Sequence, residues 1–226
     1  MISGSGSIFT QQFGMPQYVG IILMTVLVLI AILSNVDQVV KIIASITPFL
    51  IIGVVFLFVY SLATKNYSFM ELDTLAKEQP SATGHWFTSV INYVSLAITM
   101  GASMTLVMGG DESKERIASY GGMLGGIGVG ILIVIHHLAI LAKIDVVGDY
   151  DMPSLGLANH ISPIFGVIYS VILFGMIFNS AVSMFFSFGT RFFTPKTKKF
   201  NWFVGGTLLI AFGASFFGFK QLVSFF

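Results

Sequence analysis

Apolar residues fall in blocks of roughly 20 along the chain, separated by short polar stretches, which is the length a bilayer core of about 30 Å demands of a helix. Six blocks are bounded by charge, Pro or Gly: about Tyr18 to Leu33, Ile42 to Ala63, Trp86 to Met108, Ile117 to Ala142, Ile161 to Phe188 and Trp202 to Phe219. No block alternates with period two, so a barrel strand is not predicted; a lipid-exposed segment must then satisfy its backbone hydrogen bonds as a helix. The expected fold class is all-α, a polytopic bundle of six transmembrane spans forming a single domain over residues 1–226. Thr47-Pro48 predicts a kink in the second span, and Pro163 falls near the first turn of the fifth, where a missing N–H costs little. Residues 1–16 read as the tail of an upstream helix followed by a turn.

Composition sharpens this picture. Of 226 residues, 55% are hydrophobic and only 9% charged, against about 25% charged in soluble domains. A net charge of +1 gives no basic excess for a nucleic-acid backbone, so the expected partners are the lipid bilayer and a small-molecule solute, with no nucleic acid. No cysteine is present, which excludes disulfides, thiolate metal sites and thiol nucleophiles. Without a positive n-region and a continuous apolar h-region, Met1 to Gly14 does not read as a secretory signal.

Six crossings put both ends on one side, and basic residues choose it. With the termini outside, the inner loops hold Lys41, Lys114, Arg116, Arg191, Lys196, Lys198 and Lys199, and the outer ones Lys65, Lys77, Lys143 and Lys220. The expected placement is therefore a multi-pass protein of the cell membrane with both termini of this chain extracytoplasmic. In the outer loops, Phe69 to Leu75 is expected as a short interfacial helix, and Val146 to Asn159 as an ordered loop.

Polar side chains at membrane depth mark function by default. In the third span Thr88, Asn92, Ser95, Thr99 and Ser103 recur at spacings of four, three, four and four, which places them on one helical face. Gly101 lies among them. A helix break at Met100-Gly101-Ala102-Ser103 would turn backbone groups toward a solute at the midplane; the alternative is close helix approach through small residues. The fifth span carries Asn179, Ser180, Ser183 and Ser187, whose oxygens suit Na⁺ or simply bond back to their own helix. In the fourth span, overlapping GxxxG pairs at Gly121/Gly125, Gly122/Gly126 and Gly126/Gly130 point to close packing inside the bundle, with dimerisation as the alternative.

His136 and His137 are the titratable groups inside a span. Adjacent positions point about 100° apart on a helix and cannot grip one ion; both lie about 8 Å from the span's end, so snorkelling is favoured over proton relay. The chain has no Gly-Lys pair, no His-Glu pair and no carboxylate pair within a span, which removes Walker A, HExxH and intramembrane aspartyl chemistry. An enzyme is not expected, nor a metal or cofactor beyond Na⁺ or H⁺ as a coupling ion.

Several segments taken together resemble a known family: Ser3-Gly4-Ser5-Gly6-Ser7-Ile8-Phe9, the turn Gly14-Met15-Pro16, Gly109-Gly110-Asp111 before the glycine-rich span, Met152-Pro153, and the run from Ile161-Ser162-Pro163 to Tyr169-Ser170. Their order resembles the YkvI-like bacterial membrane proteins, relatives of the amino acid–polyamine–organocation transporters with a LeuT-type inverted repeat. The resemblance implies a partial LeuT-type fold in which the six spans stand for helices four to nine of ten, one of them discontinuous at Met100 to Ser103. It also implies a fragment that lacks the first helices and the last. The function so implied is secondary transport of a small polar or amino-acid-like solute coupled to Na⁺ or H⁺. Asn92, Thr99, Gly101 and Ser103 would line the substrate site, and Asn179, Ser180 and Ser183 a cation site. The alternative is a truncated, non-transporting membrane protein that acts only through helix association.

Overall fold

A computed structural model describes residues 1–33, 36–79, 85–194, 197–218 and Leu222, with side chains at all of these except 36–46, 99–104, 106–108 and 111. The described residues form helices and no strand. They are α1 (Ile2–Phe13), α2 (Gln17–Leu33), α3 (Val36–Ala63), α4 (Phe69–Lys77), α5 (Trp86–Asp111), α6 (Glu115–Leu141), α7 (Ile144–Val147), α8 (Pro153–Ile161), α9 (Pro163–Thr190) and α10 (Lys198–Ser215). Among the described residues, α6 and α9 are long and apolar enough to cross a membrane, and Gln17–Leu33, Thr47–Ala63 and Trp86–Ile98 are shorter apolar helical stretches.

Local chemistry explains the punctuation. Gly14 ends α1 in the left-handed region, φ 63°, and its N–H bonds back to Phe9 and Thr10, a conformation that carries no Cβ penalty only in glycine. Pro16 follows, so the chain turns and restarts as α2. Ser68 and Glu71 close a reciprocal capping box at the start of α4, and the hydrogen bond from the Ser68 N–H holds the Glu71 carboxyl below its ordinary range, helped by the Ser68 hydroxyl. Pro163 stands at the first turn of α9, where no N–H is needed.

Helix α9 is the hub, packing against α1, α2, α3, α5, α8 and α10. Two cores form on it. One joins Ile2, Ile21, Met24 and Val28 to Ala181, Val204 and Leu208; the other joins Ile8, Leu57, Ala139, Leu155, Leu157 and Tyr169. Helix α1 is fully part of this bundle: Ser3, Ser5 and Ser7 are buried, and Ser5 Oγ donates to the Gly20 carbonyl at 2.9 Å. A Cβ on Gly20 would sit 2.4 Å from the Ser5 carbonyl oxygen, so the two backbones touch only because α2 presents no side chain there. Gln11 then ties α1 to the start of α8, its amide donating to the Met152 carbonyl at 3.0 Å and accepting from the Met152 N–H at 3.1 Å.

Three expectations need correction. Helix α5 runs unbroken from Trp86 to Asp111, so the discontinuity at Met100 to Ser103 is not found; one glycine costs a helix only about 1 kcal/mol, too little by itself to break one of this length. Residues 144–147 and 153–161 are helical where a loop was expected, because Pro153 and Gly156, read as breakers, fall at a helix start and against the Tyr150 ring. Among the described residues, nothing lies within 4 Å of a Cβ position on Gly121, Gly122, Gly125, Gly126, Gly128 or Gly130, so the glycine-rich face of α6 does not pack against them. Lys143 lies in the turn between α6 and α7, as its charge predicts, but it is 4% exposed and donates Nζ to the Thr64 carbonyl at 2.5 Å, satisfying the C-terminal end of α3.

Candidate functional site

Two groups of polar side chains stand out, one midway along α9 and one around a cavity. On α9, Asn179, Ser180 and Ser183 are half-buried and Ser187 is buried. The helix places Asn179 and Ser183 one turn apart on the same face. Ser183 Oγ donates to Asn179 Oδ1 at 3.3 Å and so faces another side chain, whereas Ser170 and Thr190 bond back to carbonyls three residues earlier. The predicted cation-binding oxygens are thus brought together, at least for this pair. Oxygen ligands lie about 2.3–2.6 Å from a hard cation such as Ca²⁺, so neighbouring ligands of an octahedral site lie about 3.3–3.7 Å apart. The observed spacing falls at the lower edge of that range.

The predicted substrate residues on α5 are placed differently. Thr88, Asn92 and Ser95 are exposed although α5 packs against both α6 and α9. The side chains of Thr99, Gly101 and Ser103 lie outside the described residues. Among the described residues no three His, Asp or Glu side chains gather as a metal site would require.

The second group was not assembled from the sequence. A cavity of about 510 Å³ lies between α3, α5, α6, α8 and α9, within the usual range for small-molecule sites. Its walls include Val54, Leu132, Ile140 and Leu173, and its polar groups are Tyr93, His136, His137, Ser154 and Tyr169. Both imidazoles line this hollow; His136 is half-buried and His137 exposed. Tyr169 is 1% exposed, and its hydroxyl is shut off from the cavity beside Ser154. Its ring lies against α3 where that helix carries no side chain: a Cβ on Gly53 would meet the ring at 3.1 Å. The sequence signal was faint, namely a tyrosine inside each of two spans.

No protein-family model matches the chain, and no solved structure matches it. It is similar to the protein described as "Uncharacterized membrane protein YkvI" of Bacillus subtilis (strain 168), with 22% identity over 224 residues. The similarity covers 99% of this chain and 63% of that relative, so the chain spans under two thirds of the relative's length. With helices and no strand among its described residues and two helices of spanning length, the chain is similar along nearly its whole length to that membrane protein.

Proposed function

We propose that the chain forms part of a secondary transporter in the cell membrane, moving a small polar or amino-acid-like solute coupled to Na⁺ or H⁺. The observation that carries this reading is the Asn179–Ser183 pair, two oxygens 3.3 Å apart and half-buried near the middle of a 28-residue apolar helix. Uncharged oxygens at membrane depth suit a hard monovalent cation and are otherwise costly to keep there. Coupling by Na⁺ fits such a pair better than coupling by H⁺, since neither group titrates. Ser180 lies beside the pair as a further ligand, and the solute is assigned to the α5 face of Asn92, Thr99, Gly101 and Ser103. In this reading six spans cross the bilayer as part of a LeuT-type repeat, with Lys114, Arg116 and the Arg191 to Lys199 segment cytoplasmic. The chain acts as a carrier and not as an enzyme. The test is uptake by proteoliposomes of a panel of labelled neutral amino acids under an inward Na⁺ or H⁺ gradient. Accumulation that collapses in Asn179→Val is expected; no accumulation under either gradient contradicts the reading.

One observation favours a second reading, association through helices alone: the glycines of α6 from Gly121 to Gly130 meet nothing among the described residues, and such faces let helices approach closely in membranes. It predicts a stable ligand-free oligomer that Gly125→Leu disperses, read by cross-linking in nanodiscs.

A further inference from the structure

Elsewhere among the described residues the lysines have something to offset their charge. Lys77 pairs with Asp73 at 2.6 Å, Lys65 stands over the Phe69 ring, Lys143 donates to the Thr64 carbonyl, and Lys114 lies between Glu112 and Glu115 in sequence. Lys198 and Lys199 are different. Both are exposed, and neither has an ion pair or hydrogen bond among the described residues. No Asp or Glu occurs anywhere from Met152 to Phe226. The two lysines also open α10, whose first turn carries no acidic residue, so the helix dipole opposes them where it would favour an anion. Adjacent like charges set against that dipole are a local cost that the described residues leave uncompensated.

The surface around them is fixed and aromatic. A Cβ on Gly189 would lie 2.5 Å from Val204 and 2.6 Å from the Phe200 ring, so the start of α10 sits directly on the last turn of α9. Phe203 packs against Phe188 at 5.5 Å and against Phe192 at 5.2 Å, which brings the end of α9, with the exposed Arg191, beside the first turns of α10. Facing outward are Phe192, 59% exposed, and Trp202, 82% exposed. Trp202 follows Lys198 by four residues, on the same helical face and about 6 Å farther along the axis. A cation with an indole one turn below it matches the layering of a bilayer surface, phosphate outermost and the aromatic belt beneath. Helix α9, which carries this turn, is of spanning length.

We infer that the α9–α10 turn binds the headgroup phosphate of an anionic membrane lipid through Lys198 and Lys199, with Trp202 seated beside it in the interface. This rests on the membrane placement proposed above, but not on transport or on which side of the bilayer the turn faces. An acidic protein would meet the lysines equally well; the exposed indole and phenyl ring beside them favour a lipid.

Trp86 and Trp202 are the two tryptophans of the chain, so Trp86→Phe leaves Trp202 as the sole fluorescent reporter. That chain is reconstituted in phosphatidylcholine bilayers containing a small fraction of phosphatidylglycerol or of phosphatidylcholine with brominated acyl chains, which quench a tryptophan they touch. Phosphatidylglycerol should be preferred at Trp202 at least about fivefold, the worth of one lysine near a charged surface. The preference should vanish in Lys198→Gln/Lys199→Gln and shrink in high salt. Trp86, read alone in Trp202→Phe, should show none. Melting separates binding from folding: the double variant should be at least as stable as the native chain in phosphatidylcholine, since it relieves the dipole, and less stable in phosphatidylglycerol. Equal quenching by the two lipids at Trp202, a preference that survives the double substitution, the same preference at Trp86, or equal stabilisation by soluble inorganic phosphate or polyglutamate overturns the inference and leaves the membrane placement standing. Quenching by neither lipid overturns both.

Discussion

The corner where α1 meets α2 and the outer face of α6 are built from the same material with opposite results. Ser3-Gly4-Ser5-Gly6-Ser7 and the glycines from Gly121 to Gly130 are both stripes of small residues in apolar helices. In the first, a Cβ on Gly6 or Gly20 would lie 2.4 Å from an atom of the facing helix, and three serines are buried. In the second, the space beside every one of those glycines is open. Small residues permit close approach but do not supply a partner. What separates the two regions is what surrounds them: α1 is gripped from both ends, by Ser5 on the Gly20 carbonyl and by Gln11 on Met152, whereas no described contact draws another helix of this chain onto the glycine face of α6.

This contrast sets the order of expected effects. Gly20→Ala forces a methyl onto the Ser5 backbone, which cannot swing aside, and should cost about 3 kcal/mol or somewhat more. Gly125→Ala, the same change on the open face, should cost nothing and add up to about 1 kcal/mol of helix propensity. Thermal melts of both variants in nanodiscs decide the matter, and equal destabilisation would erase the distinction. Gln11→Ala leaves the N–H of Met152 without its partner, while its C=O keeps the Gly156 N–H, and should cost about 1–2 kcal/mol. Hydrogen exchange would show the loss at the α1–α8 junction and leave α6 untouched.

The smallest effect lies away from both regions, in α4. Glu71 has a lowered folded-state pKa, so its contribution is fully present above the unfolded carboxyl value of about 4.3 and is lost as pH falls through the folded value. Amide exchange at Leu72 and Thr74, corrected for intrinsic rates, should rise over that acid range in the native chain and stay level in Glu71→Gln, which keeps an acceptor at the third helical position.

Much of the helical layout was legible because period and length suffice for long apolar helices: the 117–142 and 161–188 blocks fall on α6 and α9. The short helix over Phe69 to Leu75 was legible too, since Ser68 and Glu71 carry its start signal. What sequence could not give was partnership. Lys143 looks like loop charge until the carbonyl of Thr64 is seen beside it, and Tyr169 looks like one more apolar residue until its hydroxyl is found buried in a cavity wall. Gly101 misled in the other direction, because the weak helix commitment of one glycine is overruled by its neighbours. The Asn179 and Ser183 pair was readable from spacing alone, since a four-residue interval on a helix settles which side chains can meet.

The account turns on whether that pair holds a cation. The most direct measurement is the melting temperature of the chain in nanodiscs with Na⁺ and with K⁺ at equal ionic strength, for the native chain and for Asn179→Val. Stabilisation by Na⁺ of a few degrees in the native chain, absent in the variant, is the predicted result. Identical melting in both salts, or a Na⁺ response that survives the substitution, contradicts it.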